Sequence, residues 1–215
     1  MTSSQAPSSS AAPSCSAAPS SSAAPSSSAA PASSAAPASS AAPASSAAPS
    51  TDAMVRELWD RQQISDVMLR FGRGLDLHDW EMYAATLTDP FEVDFFDLTG
   101  RPPTSTTPKI WARFASACLE RLTVMHQYSN FHITLHGDEA DGVFYHVSRH
   151  RLPNRHGDDH YTQYGWYENS FRRTAAGWKI SRLKHTFQWC DGNPTLIDVS
   201  DPAWQEAAAA VFGSD

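Results

Sequence analysis

The chain has 215 residues, with 23 acidic and 16 basic side chains and a formal net charge of -7. Its basic residues form no run longer than Arg172-Arg173, so it lacks a cationic surface that follows phosphates, and nucleic acid is not expected as a partner. No stretch approaches the ~18 consecutive apolar residues of a membrane span, so a membrane is not expected either.

The first 50 residues differ in composition from the rest. They contain no charged or aromatic side chain, and proline recurs every sixth residue from Pro7 to Pro49 among serine and alanine. Such a segment cannot bury enough apolar surface to offset its conformational entropy, and its prolines interrupt any alanine helix. We predict a disordered tail over 1–50, one folded domain over 51–200, and a terminal helix or tail over 201–215.

The cysteines and the start of the chain bear on location. Cys15, Cys118 and Cys190 are odd in number, far apart and without metal-ligand spacing, which favours a reducing compartment. The start also lacks the basic residues and long apolar run of a secretory signal. The sequence predicts a cytoplasmic protein.

The first predicted element is a long helix. From Val55 to Leu75, apolar residues recur at three- and four-residue steps, which is typical of an amphipathic helix. Ser50 or Thr51 can cap its first turn. Asp79 is expected to cap a second, short helix over 80–87.

Strands and one more helix follow. Residues 91–96 alternate in polarity, with Phe91, Val93 and Phe95 on one face, which predicts a half-buried strand. Residues 107–122 have a helical apolar pattern. Four further strands are predicted over 126–136, 143–152, 160–173 and 178–189, the first two joined by a turn over 137–142.

This order of elements predicts the fold class. Helices come first and a run of antiparallel strands comes after them, which indicates an α+β fold with a sheet that wraps around the first helix. The Ala-rich segment near the C-terminus is expected to form a short closing helix.

Four local strings occur in a characteristic order along the chain. They are Ile64-Ser65-Asp66-Val67, Gly74-Leu75-Asp76-Leu77-His78-Asp79-Trp80, His126 followed by Asn130, and Gly177-Trp178-Lys179-Ile180 followed by Trp189. Together they resemble the SnoaL-like, scytalone dehydratase-like branch of the nuclear transport factor 2-like (NTF2-like) superfamily, over residues 54–193. The resemblance implies a cone in which a curved antiparallel or mixed sheet surrounds the N-terminal helices.

The resemblance implies a site inside the cone. In scytalone dehydratase and hexachlorocyclohexane dehydrochlorinase, an aspartate at the end of the first helix meets a histidine from the sheet, and Asp76 and His126 occupy these positions. The second pocket histidine of scytalone dehydratase corresponds to either His146 or His150.

The chain also departs from scytalone dehydratase. Leu75 and Phe95 stand where that enzyme has the two tyrosines that hold a water on the substrate carbonyl, and Tyr167 stands at its pocket asparagine. These residues are therefore expected in the pocket, although the sequence is not that of scytalone dehydratase itself.

The chemistry of the residues agrees with such a site. Imidazole is suited to remove a proton near neutral pH, and a carboxylate on its second nitrogen fixes the tautomer. Alternation along the strand predicts that His126, Tyr128, Asn130 and His132 share one polar face and that Phe131, Ile133 and Leu135 share the other. The same parity places His146, Ser148 and His150 together on the next strand.

No metal or organic cofactor is expected. His132/His136 and His146/His150 are each four residues apart, which on a strand is roughly 13 Å, too far for two imidazoles to bind one ion. Asp79 is interpreted as a helix cap rather than a catalytic acid.

The many aromatic side chains predict a core and an apolar pocket that accepts a flat aromatic, polyketide, terpenoid or steroid-like substrate. Tyr128, Tyr161, Tyr164 and Tyr167 remain alternative donors to a developing enolate.

We therefore predict a lyase or isomerase of secondary metabolism, dehydratase-like, in which His126 is the base and Asp76 orients it. His150 or His146 assists the leaving group, and a tyrosine or Asn130 polarises the substrate. A non-catalytic ligand-binding or assembly module is the alternative; the small subunit of a ring-hydroxylating oxygenase is a third. The resemblance also implies a homo-oligomer, a dimer or trimer.

Overall fold

The computed structural model describes residues 49–153 and 158–213. The predicted disordered tail, except for its last two residues, lies outside the described part of the chain. The described residues form an α+β fold with a six-stranded curved sheet, which confirms the predicted fold class.

The long first helix forms as predicted. Helix α1 spans Thr51–Asp76, and the side chain of Ser50 caps it by accepting a hydrogen bond from the backbone N–H of Ala53 at 3.2 Å. Its second half buries one apolar face against the sheet, whereas Val55 and Leu58 in the first turns stay exposed. The buried apolar residues of this face are Ile64, Val67, Met68, Phe71 and Leu75.

The remaining helices are short. Helix α2 spans Trp80–Ala85 and is capped by Asp79, whose carboxylate accepts a hydrogen bond from the N–H of Met82 at 2.9 Å. The structural role predicted for Asp79 is thereby confirmed. The others are α3 (Phe96–Thr99), α4 (Pro108–Leu119), a 3-10 turn (Pro194–Leu196) and α5 (Pro202–Phe212).

The sheet has the strand order β2-β1-β6-β5-β4-β3. The β1–β6 pair is parallel and the other neighbours are antiparallel. The strands are β1 (Leu87–Asp94), β2 (Thr104–Thr106), β3 (Thr123–His136), β4 (Glu139–Arg151), β5 (His160–Thr174) and β6 (Gly177–Gly192).

Several predicted boundaries are wrong, at the end of α2, at both ends of β1 and at the turn before β4. Helix α2 ends at Ala85 and strand β1 already starts at Leu87. Strand β1 stops at Asp94, and Phe96 begins helix α3 instead of extending the strand. The turn between β3 and β4 contains only Gly137 and Asp138, because Gly137 adopts a φ of 72° that allows a tight hairpin. The residues after Asp138 pair in the sheet.

A β-bulge in β3 corrects the predicted polar face. The pairing changes from Tyr128↔His146 to His132↔Val143, so β3 contains one extra residue, and Asn130 has a φ of 52°. The inward-facing parity therefore changes at Asn130. His126 and Tyr128 face inward as predicted, but Asn130 and His132 are exposed.

Beyond the bulge, the residues predicted to face away turn toward the core. Ile133 is buried, and the ring of Phe131 lies 4.9 Å from that of the fully buried Phe144. The closed end of the sheet is therefore filled by apolar side chains.

Helix α5 closes the other side, as expected for the C-terminal segment. The ring of Trp204 lies 5.8 Å from that of Phe114 on α4, and the ring of Phe212 lies 6.5 Å from that of Trp111. Among the helices of the described residues, none is long and apolar enough to cross a membrane.

Candidate active site

A cavity of about 160 Å³ lies between the inner face of the sheet, the end of α1, α4 and the C-terminal segment. Its volume is close to that of the ~150 Å³ engineered cavity that holds a benzene molecule. Aliphatic and aromatic side chains form most of its wall. The polar residues that line it include His126, Ser148, His150, Gln163 and His185, together with Tyr83, Tyr161 and Tyr167.

Asp76 is in direct contact with His126, which lines the cavity. Oδ1 of Asp76 lies 2.8 Å from Nδ1 of His126, and the same oxygen accepts a hydrogen bond from the backbone N–H of His126 at 2.9 Å. The side chain of His126 is 5% exposed and that of Asp76 is 26% exposed. Since a carboxylate only accepts hydrogen bonds, Nδ1 of His126 carries a proton in this contact, and in the neutral imidazole the lone pair is then on Nε2.

The fold fixes both partners of this pair. Asp76 is the last residue of α1, and His126 lies on β3 before the bulge. The end of α1 is held against α2 by close backbone packing: a Cβ added at Gly74 would lie 2.8 Å from the backbone nitrogen of Tyr83. A larger residue than glycine there would push α2 away from the helix end that carries Asp76.

His150 is the second predicted catalytic histidine, and it lines the cavity. Its ring centroid lies 6.2 Å from that of His126, and its Nδ1 donates to the carbonyl oxygen of Tyr161 at 3.1 Å. Burial, and secondarily the charge of a protonated His126, lowers the pKa of His150 to about 4. His150 is therefore neutral near pH 7, with its Nε2 lone pair available as an acceptor.

His146, the alternative to His150, does not line the cavity. It is buried, with Nδ1 at 2.9 Å from Oγ of Ser148 and Nε2 at 2.6 Å from Nε2 of His185. Burial is the main cause that lowers the pKa of His146 to about 3. Of the two candidates, the structure brings only His150 to the cavity surface near His126.

The other predicted residues divide into two groups. Leu75, Phe95 and Tyr167 line the cavity, whereas Tyr128 and Asn130 do not. Asn130 is exposed at the bulge, so its predicted place in the pocket is wrong for the reason given above.

Tyr128 lies inside the protein beside α1. Its ring contacts Gly72 so closely that an added Cβ would be 2.5 Å from Cε2 of Tyr128. Among the described residues, its buried hydroxyl has no hydrogen-bond partner. Burial raises the pKa of Tyr128 well above its usual value, so the hydroxyl keeps its proton.

Of the remaining candidate tyrosines, Tyr161 and Tyr167 line the cavity. The hydroxyl of Tyr161 accepts a hydrogen bond from Nε2 of Gln163 at 3.1 Å. Tyr164 instead stacks on the exposed Trp189, with ring centroids 4.9 Å apart. Alternation along β5 accounts for this difference.

Sequence reasoning missed several parts of the wall, among them Gln163, His185 and the C-terminal segment. His185 lies on β6 and lines the cavity, and the C-terminal segment contributes Ile197 and Trp204. Alternation with the buried Leu183 is a signal that identifies His185 as inward-facing. The C-terminal residues have no comparable pattern, because their approach to the cavity depends on tertiary packing.

Comparison with known proteins identifies the family of this chain. The family description "SnoaL-like domain" matches residues 56–184. No curated protein sequence matches the chain significantly.

Solved structures with the same fold align with this chain over nearly all of their own length. The Kfla4162 protein from Kribbella flavida is 26% identical with a TM-score of 0.63, covering 66% of this chain and 98% of that one. A proposed scytalone dehydratase from Novosphingobium aromaticivorans is 19% identical with a TM-score of 0.55, covering 65% and 91%. A hexachlorocyclohexane dehydrochlorinase from Novosphingobium barchaimii is 17% identical with a TM-score of 0.56, covering 65% and 94%.

Proposed function

The chain belongs to the SnoaL-like domain family of the NTF2-like superfamily, and from that premise we propose that it is a cofactor-independent lyase or isomerase. The favoured reaction is the dehydration of a small, uncharged ring compound. The observation that carries the proposal is the 2.8 Å contact between Asp76 and His126, whose ring lines a largely apolar cavity.

His126 is the proposed base. With its Nδ1–H held by Asp76, its Nε2 lone pair can take a proton from a carbon next to a carbonyl or leaving group. Asp76 then stabilises the imidazolium that forms. The side chain of Asp76 is 26% exposed, so this partner of His126 is also in contact with solvent.

In the proposed elimination, His126 both removes the proton and returns it, so no other proton donor is required. The C–H electron pair becomes the new C=C bond while the C–O bond breaks, and the proton on Nε2 of His126 passes to the departing hydroxyl, which leaves as water. His150 is not suited to supply that proton, because it is neutral and its Nδ1–H already donates to Tyr161.

His150 therefore has a different proposed part. Its Nε2 can accept a hydrogen bond from a substrate hydroxyl and so orient the leaving group toward His126. Burial raises the pKa of Tyr167, which keeps that phenol protonated as a donor to a substrate carbonyl. Leu75 and Phe95 form apolar wall beside these groups.

The cavity volume narrows the range of substrates. About 160 Å³ suits one ring with short substituents, since a comparable cavity holds benzene. Among the predicted classes, a single-ring aromatic or terpenoid alcohol is favoured over a steroid.

Other predictions accompany this proposal. We propose that the SnoaL-like unit spans 51–200, that the tail over 1–50 is a flexible appendage, and that the protein acts in the cytoplasm, in secondary metabolism, as a dimer or trimer. A non-catalytic binding module remains the alternative, and it would require no contact between Asp76 and His126.

A substrate panel tests the proposal. Purified protein is incubated with single-ring and polyketide-like alcohols, and loss of water is followed by mass spectrometry. Wild type is expected to dehydrate at least one compound, whereas His126→Ala loses that activity. His136→Ala, which changes an exposed histidine at the end of β3, is the matched control and should retain it. Equal turnover by wild type and His126→Ala would refute the proposed base.

A further inference from the structure

A second polar chain lies inside the protein beside the Asp76–His126 pair. It runs from Oγ of Ser148 to Nδ1 of His146 at 2.9 Å, and from Nε2 of His146 to Nε2 of His185 at 2.6 Å. All three residues are buried, and Ser148 and His185 line the cavity while His146 lies behind them. The chain therefore begins and ends at the cavity wall.

The strand pairing explains how two histidines from non-adjacent strands meet. His146 lies on β4 and His185 on β6, with β5 between them. The partner of His146 on β5 is Gly165, which has no side chain to separate the two rings. A Cβ at Gly165 would lie 2.1 Å from the backbone oxygen of Thr186, so this position requires glycine.

One of the two ring nitrogens of His185 makes no hydrogen bond among the described residues. Its Nε2 bonds to His146, but its Nδ1 is buried with no hydrogen-bond partner among the described residues, on a side chain that is 2% exposed overall. The ring lies between those of Phe95 and Tyr167, at centroid distances of 5.3 Å and 5.1 Å. A buried polar atom without a partner is unfavourable, and buried polar groups in proteins nearly always find one.

The polar chain of Ser148, His146 and His185 can adopt either of two hydrogen-bonding patterns, which differ in whether Nδ1 of His185 is a donor or an acceptor. If Ser148 donates to His146 and His146 donates to His185, then Nδ1 of His185 carries a proton and is a donor. If His185 donates to His146 and His146 donates to Ser148, then Nδ1 of His185 is an acceptor and the hydroxyl of Ser148 becomes the free donor. Both patterns are electrically neutral.

Neutrality is enforced by the surroundings. Burial, and secondarily the neighbouring His146, lowers the pKa of His185 well below its usual value. The group therefore pairs with an uncharged oxygen and does not provide the cation that a carboxylate or phosphate would need.

We propose that Nδ1 of His185, backed by His146 and Ser148, is a substrate-binding group that recognises an uncharged carbonyl or hydroxyl oxygen on a ring compound in the cavity. The inference deepens the proposed function, on which it rests for the identity of the cavity as a substrate site. It makes His185 a determinant of specificity distinct from the base, His126.

Isosteric ligand pairs test this assignment without knowledge of the substrate. Acetophenone and α-methylstyrene have the same shape but differ in a carbonyl oxygen, and phenol and toluene differ in a hydroxyl. The affinity of wild type for each ligand is measured by calorimetric titration and compared with the affinity expected from the ligand's transfer free energy out of water alone. For the oxygenated member of each pair, the measured affinity should exceed that expectation roughly 2–10-fold, which is the effect of one neutral hydrogen bond.

Two substitutions at His185 separate the hydrogen bond from the shape of the ring. His185→Phe keeps a ring but removes both nitrogens. The preference for the oxygenated ligands should therefore vanish, while the affinities for α-methylstyrene and toluene should equal those of wild type. His185→Asn can place an amide near the Nδ1 position, so it should restore most of the preference. His136→Phe, an exposed histidine to phenylalanine change, should alter neither affinity.

The base variant distinguishes this proposal from the proposed function. His126→Gln should abolish turnover but retain the preference for oxygenated ligands. If wild type shows no such preference, or if His185→Phe retains it, then the assignment of His185 is overturned whatever the result of the turnover assay.

A measurement on wild type covers the case in which His185→Phe does not fold. In protein labelled with nitrogen-15 at histidine, acetophenone should shift the resonances of a neutral imidazole that stays unprotonated at pH 5, and α-methylstyrene should not. Identical spectra with the two ligands would overturn the proposal.

Discussion

The inner face of the sheet has two halves that differ in chemistry, and the bulge at Asn130 separates them. Before the bulge, β3 directs His126 to the cavity wall and Tyr128 inward beside α1. After the bulge, the same strand directs Ile133 inward, where Phe144 fills the space.

This difference shows how one sheet provides both stability and a site. In the apolar half, side chains pack against one another without needing hydrogen bonds. In the polar half, each histidine needs a specific partner, such as Asp76 for His126 and Tyr161 for His150. A change in the apolar half is expected to affect mainly stability. A change in the polar half is expected to affect activity and, where a buried histidine becomes charged, stability as well.

The largest expected effect lies in the polar half. Asp76→Asn should lower turnover by roughly 10²–10⁴-fold, because an amide no longer fixes the tautomer of His126 or stabilises its protonated form. The assay is dehydration of whichever panel compound wild type converts.

Asp79 offers a matched control for that change, three residues away. Asp79→Asn should leave turnover and stability nearly unchanged, because asparagine caps a helix about as well as aspartate. Equal activity losses in the two variants would mean that Asp76 acts only through local structure.

The apolar half should respond in the opposite way. Phe144→Ala is expected to lower the free energy of unfolding by about 3–5 kcal/mol, because it leaves a cavity in the core. Turnover per folded molecule should change little. Urea denaturation measures the first quantity, and Phe96→Ala, at an exposed position, should stay within ~0.5 kcal/mol of wild type.

Acid should selectively weaken the polar half. The folded-state pKa of His146 is about 3 and that of His150 about 4, while His185 lies well below its usual value. In the unfolded chain these groups take up protons below about pH 6.5. The free energy of unfolding is therefore at its full value above pH 6.5. It falls as the pH is lowered toward 4, on the order of 1 kcal/mol per pH unit for each histidine.

Unfolding free energies between pH 7 and pH 5 test this dependence. In His150→Asn one titrating group is removed, so the slope should decrease by the equivalent of about one proton. An unchanged slope would mean that His150 is not buried as a neutral imidazole.

The smallest expected effect concerns the bulge itself. Asn130→Gly should be neutral or slightly stabilising, since glycine adopts a φ of 52° without steric cost, whereas Asn130→Val should cost about 1–2 kcal/mol. Ser129→Val, at the neighbouring exposed strand position, should cost little. Thermal unfolding distinguishes these variants, and equal midpoints for Asn130→Gly and Asn130→Val would contradict the role given to the bulge.

The fold class and the first helix were predictable because they depend on local periodicity and capping. The Ser50 cap, the helical stripe ending at Leu75 and the Asp79 cap each have a short-range signal. The contact of Asp76 with His126 could be predicted through the family resemblance, since 50 residues separate the two positions and no periodicity connects them.

The bulge and the second polar chain were not predictable in the same way. Strict alternation placed Asn130 in the pocket, and a single extra residue reverses the parity without a composition signal. The pairing of His146 with His185 depends on β5 lying between β4 and β6 and on Gly165 leaving room. Strand order is a property of the tertiary structure that one sequence does not display.

Hydrogen–deuterium exchange on carbon tests the proposed base most directly. Single-ring ketones such as cyclohexanone and cyclohexenone are incubated with the protein in D₂O, and loss of their α-proton signals is followed by NMR. Wild type should accelerate exchange of at least one ketone above the buffer rate, and both His126→Ala and Asp76→Asn should return it to that rate. Exchange equally fast with wild type and His126→Ala would show that His126 is not the base.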